Sequence, residues 1–124
     1  MDRKLFEDLV ERAVNQLPPE LAEKLENVDV VVQDTPSAFQ LSKTRLGPNE
    51  LLLGLYEGIP LTRRGQFYGL AAPDKITIFQ KAIEIKCNHN DEKIVREISR
   101  VVKHEIAHHF GIGDARLKEI EGED

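Results

Sequence analysis

Cysteine is almost missing from this chain: Cys87 stands alone, so no intrachain disulfide can form and nothing calls for an oxidising compartment. A solitary cysteine is ordinarily a small buried hydrophobe. As a nucleophile it would need a histidine partner, and the nearby His89 sits between Asn88 and Asn90, the composition of a plain loop. Long apolar runs are missing too. The opening segment, Met1-Asp2-Arg3-Lys4-Leu5-Phe6-Glu7-Asp8, carries charge throughout, and no stretch reaches the length of a signal peptide or a membrane span. The expected location is therefore the cytoplasm, with no membrane partner. Basic charge is also in short supply. The formal net charge of −5 argues against nucleic acid as a partner, which needs a concentrated basic surface, and the adjacent Arg63 and Arg64 read as solvated loop charge. Internal repeats and low-complexity tracts do not occur. What remains is 40% apolar and 31% charged residues in 124 positions, the balance of one soluble globular domain spanning residues 1–124.

Residues 3–17 place Leu5, Phe6, Leu9, Val10, Ala13, Val14 and Leu17 on one stripe, which predicts a core-packing helix stopped by Pro18-Pro19. A short helix follows from Pro19 to about Glu26. Val28-Asp29-Val30-Val31-Val32 reads as a buried strand. The polar stretch from Thr35 to Asn49 reads as loop with room for a helical turn. Leu51–Tyr56, Gln66–Leu70 and Ile76–Phe79 are expected strands, the last two close enough to form an antiparallel hairpin. One long helix is expected from Asn90 or Asp91 to Phe110, with Gly111 suited to the left-handed conformation that ends a helix. A final short helix near Asp114–Glu121 completes an α+β domain, helices packed on one small mixed sheet.

The long helix carries His104-Glu105-Ile106-Ala107-His108. Positions four apart are neighbours on one helix face, so both imidazoles can reach a single metal ion at about 2.0–2.1 Å, the usual Zn–N distance. Glu105 is rotated by about 100° from His104 and can meet a water in the metal's open position. That is the arrangement of a metal-dependent hydrolase whose carboxylate takes the water's proton. With four His and fourteen Glu in the chain, a chance match to the three fixed positions is about one in a hundred, so the motif is specific. Catalytic zinc usually has three protein ligands. Gly111 lets the chain turn back, and Asp114 follows three residues later, giving His-Glu-x-x-His-x-x-Gly-x-x-Asp. This matches the long metzincin motif with Asp in place of its third His. Asp114 is the expected third ligand; its rival role is N-cap of the last helix, in which case Glu119 can supply the ligand. His109 points off by about 100° and is expected to pack rather than ligate.

At these residues the chain resembles a family of very small bacterial zincin-like metallopeptidases. The likeness rests on LLGLYEGIPLTRRG (52–65), PDKITIFQ (73–80) and above all VVKHEIAHHFGIGDARL (101–117), and covers roughly residues 18–120. It implies a minimal zincin: a single small mixed sheet, with His104 and His108 as zinc ligands, Glu105 as general base and acid, and Asp114 at the third-ligand position. It implies a peptide or protein substrate, paired with a sheet edge through backbone hydrogen bonds. The segment Phe67-Tyr68-Gly69-Leu70 is the expected edge, with Tyr68 and Gly69 as substrate-binding residues; donation by Tyr68 to the tetrahedral oxyanion competes with the commoner role of a strand tyrosine, packing. The chain departs from metzincins in one respect. Its only methionine is Met1, so a methionine turn beneath the metal cannot exist.

Two other functions fit parts of the pattern. A helical His pair with a further ligand also occurs in small metal-dependent ribonucleases, although Glu105 and the acidic net charge weigh against that chemistry. A zinc ion can also staple a non-catalytic protein-interaction domain. Such a site usually takes four protein ligands, commonly with Cys, and no convincing fourth is present.

Overall fold

Asp2 starts the first helix, its carboxylate accepting from the Leu5 N–H at 3.4 Å, and α1 runs from Arg3 to Asn15. Pro19 occupies the first turn of α2, Pro19–Ala22, which tightens into a 3-10 turn over Glu23–Leu25. There follow β1 (Val28–Gln33), α3 (Ala38–Ser42), β2 (Gly54–Glu57), β3 (Asp74–Phe79), α4 (Gln80–Lys86), α5 (Asp91–His109) and α6 (Asp114–Ile120). The computed structural model describes residues 1–47, 49–58 and 74–122. The strand expected over Gln66–Leu70, its hairpin, and the substrate residues Tyr68 and Gly69 lie outside the described residues.

The sheet is mixed, as expected of this α+β fold, with strand order β1-β3-β2. β1 runs parallel to β3 with Val30 opposite Ile76, and β2 runs antiparallel to it with Tyr56 opposite Ile76. This register puts Val30, Val32, Ile76, Ile78, Gly54 and Tyr56 on one face. Against that face pack Phe6, Val10 and Ala13 of α1 and Ile94, Ile98, Val101, Val102 and Ile106 of α5, joined by Leu21, Ile83 and Cys87. On the other face α3 lies over the sheet. Its buried Gln40 closes a capping box with Ser37 and hydrogen-bonds to Gln33 and, at 3.0 Å, to Glu57.

Two expectations need correction. β1 is not buried: among the described strands it lies at the sheet edge with its valines half-exposed, and the buried strand is β3, from Ile76 to Phe79. β2 begins at Gly54 rather than Leu51, and Leu51–Leu53 runs outside the strand with Leu51 exposed. Gln80–Lys86, to which the sequence pattern assigns no element, is a helix, burying Ala82 and Ile83 and turning into α5 through Asn88 and His89, both at positive φ. Asn tolerates that left-handed region better than most residues.

Asn90 caps α5, its side chain accepting from the Lys93 N–H at 3.0 Å, and the acidic Asp91 and Glu92 face the positive end of the helix dipole. Gly111 ends it at φ +70, with Ile112 N–H donating to Ala107 O at 2.8 Å and Gly111 N–H to His108 O at 3.4 Å. This is the paired-bond stop that a left-handed glycine permits, placed directly after the histidine pair. No helix among the described residues is long and apolar enough to cross a membrane.

Candidate metal centre and catalytic base

The last two turns of α5 bury Val101, Val102, Ile106 and Ala107 against the domain. That leaves His104 and His108 facing solvent, one turn apart. Their ring centroids are 5.5 Å apart with the planes tilted by 36°. Two imidazoles that share one tetrahedral zinc place their centroids about 5 Å apart, so the pair fits a common ion. Neutral imidazole and carboxylate are also the donor types that zinc accepts.

Glu105 follows His104, is turned towards the domain, and is half-buried. Its carboxylate accepts a hydrogen bond from the Tyr56 backbone N–H of β2. Burial pushes the Glu105 carboxyl above its ordinary value near 4.5, against the opposing influence of His104, His108 and that amide. Room for the Glu105 arm comes from Gly54. A β-carbon there would stand 2.8 Å from Cγ1 of Val101 and 3.2 Å from Cγ of Glu105.

Tyr56 ties β2 to the end of the helix. Its ring stacks on His109 with centroids 3.5 Å apart and planes within 9°, and meets the edge of Phe110 at 6.2 Å. Its hydroxyl donates to Asp74 Oδ2 at 2.9 Å. Beside Glu105 and His104 opens a cleft of about 300 Å³, walled by Leu46, Leu51, Leu52, Leu53 and Val101 with Arg100 at its rim.

The structure places His104, Glu105 and His108 on the last two turns of α5 and Asp114 at the start of α6. Gly113 holds the N-cap position of α6, without a side-chain cap bond; Asp114 is the first helical residue and is exposed. Glu119 is exposed and paired with Arg116 at 3.0 Å. Among the described residues no three His, Cys, Asp or Glu side chains form a group that could hold a metal ion. Sequence reasoning did not single out Gly54 and Tyr56 as site residues. Their signal was the small residue in Leu53-Gly54-Leu55-Tyr56, whose meaning needs the helix packed against it.

A small α+β domain that carries His-Glu-x-x-His on a helix beneath a mixed sheet has the build of a zincin. The model of the family described as Zincin-like metallopeptidase matches residues 25–123, most of the chain, and the protein belongs to that family. No curated protein matches the sequence.

Proposed function

We propose that the protein is a zinc-dependent peptidase in which His104 and His108 hold the ion, Asp114 supplies the third protein ligand, and Glu105 is general base and then general acid. One observation carries this reading: a half-buried carboxylate, within hydrogen-bonding reach of a backbone amide, beside two solvent-facing imidazoles on one helix. Zinc, when bound, acidifies a coordinated water towards neutral pH and polarises the substrate carbonyl.

Glu105 takes the proton released as water adds to the carbonyl carbon and returns it to the amine nitrogen that leaves. The Tyr56 N–H orients the carboxylate, and the stack of Tyr56 on His109 keeps strand and helix in register while it does so. The leucine-walled cleft excludes water on one side of Glu105 and suits an apolar substrate side chain. Tyr68 and Gly69 are the proposed substrate-binding residues, on the strand that their sequence predicts.

The test is cleavage of a mixed peptide library by zinc-loaded protein, read by mass spectrometry. Glu105→Gln should keep the fold and the metal and lose turnover by about 10²–10⁴-fold, the usual worth of a general base. Full activity in that variant would remove Glu105 from the chemistry.

A further inference from the structure

Among the described residues the sheet has a second edge, on the side away from Glu105. Among the described strands β1 is separated from β2 by β3, and β2 is the one that borders the Glu105 carboxylate. In the parallel ladder Asp74 N–H donates to Asn27 O, with Val28 opposite Asp74. It follows that residues 29, 31 and 33 face β3 with their backbone groups, whereas Val28, Val30 and Val32 turn theirs outward. Among the described residues those outward N–H and C=O groups have no hydrogen-bond partner. They form a row about 13 Å long, at 3.3 Å per residue.

Beside that row runs a groove of about 530 Å³ between β1 and α1, floored by Val10, Val14, Leu25 and the β1 valines. Glu7 and Glu11 rim it. They are exposed, one helical turn apart, and neither forms an ion pair among the described residues. Like charges at this spacing destabilise a helix, and an apolar strand edge left open invites pairing; proteins ordinarily blunt such an edge with lysine, proline or a covering segment. Here the edge sequence Val28-Asp29-Val30-Val31-Val32 carries only an added acid.

We propose that this edge is a docking site for an extended basic peptide segment of a partner protein, which adds to the sheet beside β1. Main-chain bonds to Val28, Val30 and Val32 would hold the strand, alternate apolar side chains would fill the groove, and Lys or Arg side chains would meet Glu7 and Glu11. A second copy of this chain fits less well, because symmetric pairing brings two acidic rims together in a protein of net charge −5.

The probe is a fluorescein-labelled Lys-Val-Lys-Val-Lys-Val-Lys peptide, with its Glu-for-Lys counterpart as control, titrated by fluorescence anisotropy at low salt. The protein is the full chain carrying Glu105→Gln, which prevents cleavage at the proposed active site. Expected is saturable binding of the basic peptide alone. The double variant Glu7→Lys/Glu11→Lys should weaken it by about tenfold, since it turns two exposed attractions into repulsions. Val30→Pro removes one outward N–H that the ladder does not use, as proline is tolerated on a free edge, and should weaken binding by about tenfold with β3 pairing kept. Removing the histidines with His104→Ala/His108→Ala should leave binding unchanged, which separates this site from the metal centre. No binding of the basic peptide, equal binding of both peptides, or indifference to the Glu7 and Glu11 reversal would overturn the proposal. So would concentration-dependent dimerisation abolished by Val30→Pro, which would give the edge to a second copy.

Discussion

Gly54 and Glu105 approach each other because Gly54 has no side chain: a β-carbon on it would lie 3.2 Å from Cγ of Glu105 and 2.8 Å from Cγ1 of Val101. Both atoms belong to a packed helix, so a methyl group must displace the helix or the strand. Gly54→Ala is expected to cost about 1–3 kcal/mol, the usual scale of overpacking, and to reduce peptide hydrolysis more than zinc binding. Thermal unfolding, zinc titration and turnover on the same preparation check this. An alanine variant with wild-type stability and activity would show that the contact has slack.

Thr77 sits at the centre of β3, fully buried, and its hydroxyl finds no partner among the described residues. A buried hydroxyl without a hydrogen bond costs about 1–3 kcal/mol. Thr77→Val keeps the shape and removes that cost. A gain of about 1 kcal/mol is expected in urea unfolding, with the slope unchanged. A loss would mean that the hydroxyl is satisfied.

Glu97 joins two helices, accepting from Lys86 of α4 at 2.6 Å and from Arg100 of α5 at 3.1 Å. The Arg100 hydrogen bonds, helped by Lys86, hold its carboxyl below the ordinary value near 4.5 despite partial burial. A depressed carboxylate contributes stability above its unfolded pKa and loses it as pH falls through the lower folded value. Glu97→Gln should therefore be less stable than wild type by about 1 kcal/mol at pH 7. The gap should begin to close below about pH 4.5. Parallel stability curves for the two proteins across that range would contradict the assignment.

The strongly periodic helices were legible in the sequence because one face of each is apolar. For α1 the stripe of Phe6, Val10 and Ala13 is the buried stripe of the structure, and for α5 the same holds of Ile94, Ile98 and Val101. The His-Glu-x-x-His face was legible for the same reason: helical spacing alone sets His104 and His108 on one side. α4 was not. It has seven residues, no capping side chain at Phe79, and a buried Ile83 beside an exposed Ile85, an alternation that fits a strand as readily. The edge position of β1 was hidden as well. A run of valines looks the same in a central strand and at a margin, and only the pairing with β3 decides. Tyr56 was hidden because its role depends on a backbone amide, which no side-chain pattern records.

Asp114 and Glu119 compete for the third-ligand role, and the two single variants separate them. Asp114→Ala should weaken zinc binding by more than the tenfold that about 1.4 kcal/mol represents, whereas Glu119→Ala should leave it unchanged. Chelator competition at fixed pH reads the difference. The reverse order would move the ligand to α6's second turn.

The most direct test is zinc content by mass spectrometry, for wild type and His108→Ala, both purified without chelators or nickel resin and shown folded by circular dichroism. Expected is about one zinc per wild-type chain and none in the variant. A folded wild-type protein that binds no zinc even after reconstitution, or a variant that keeps it, would contradict the metal centre on which the peptidase reading stands.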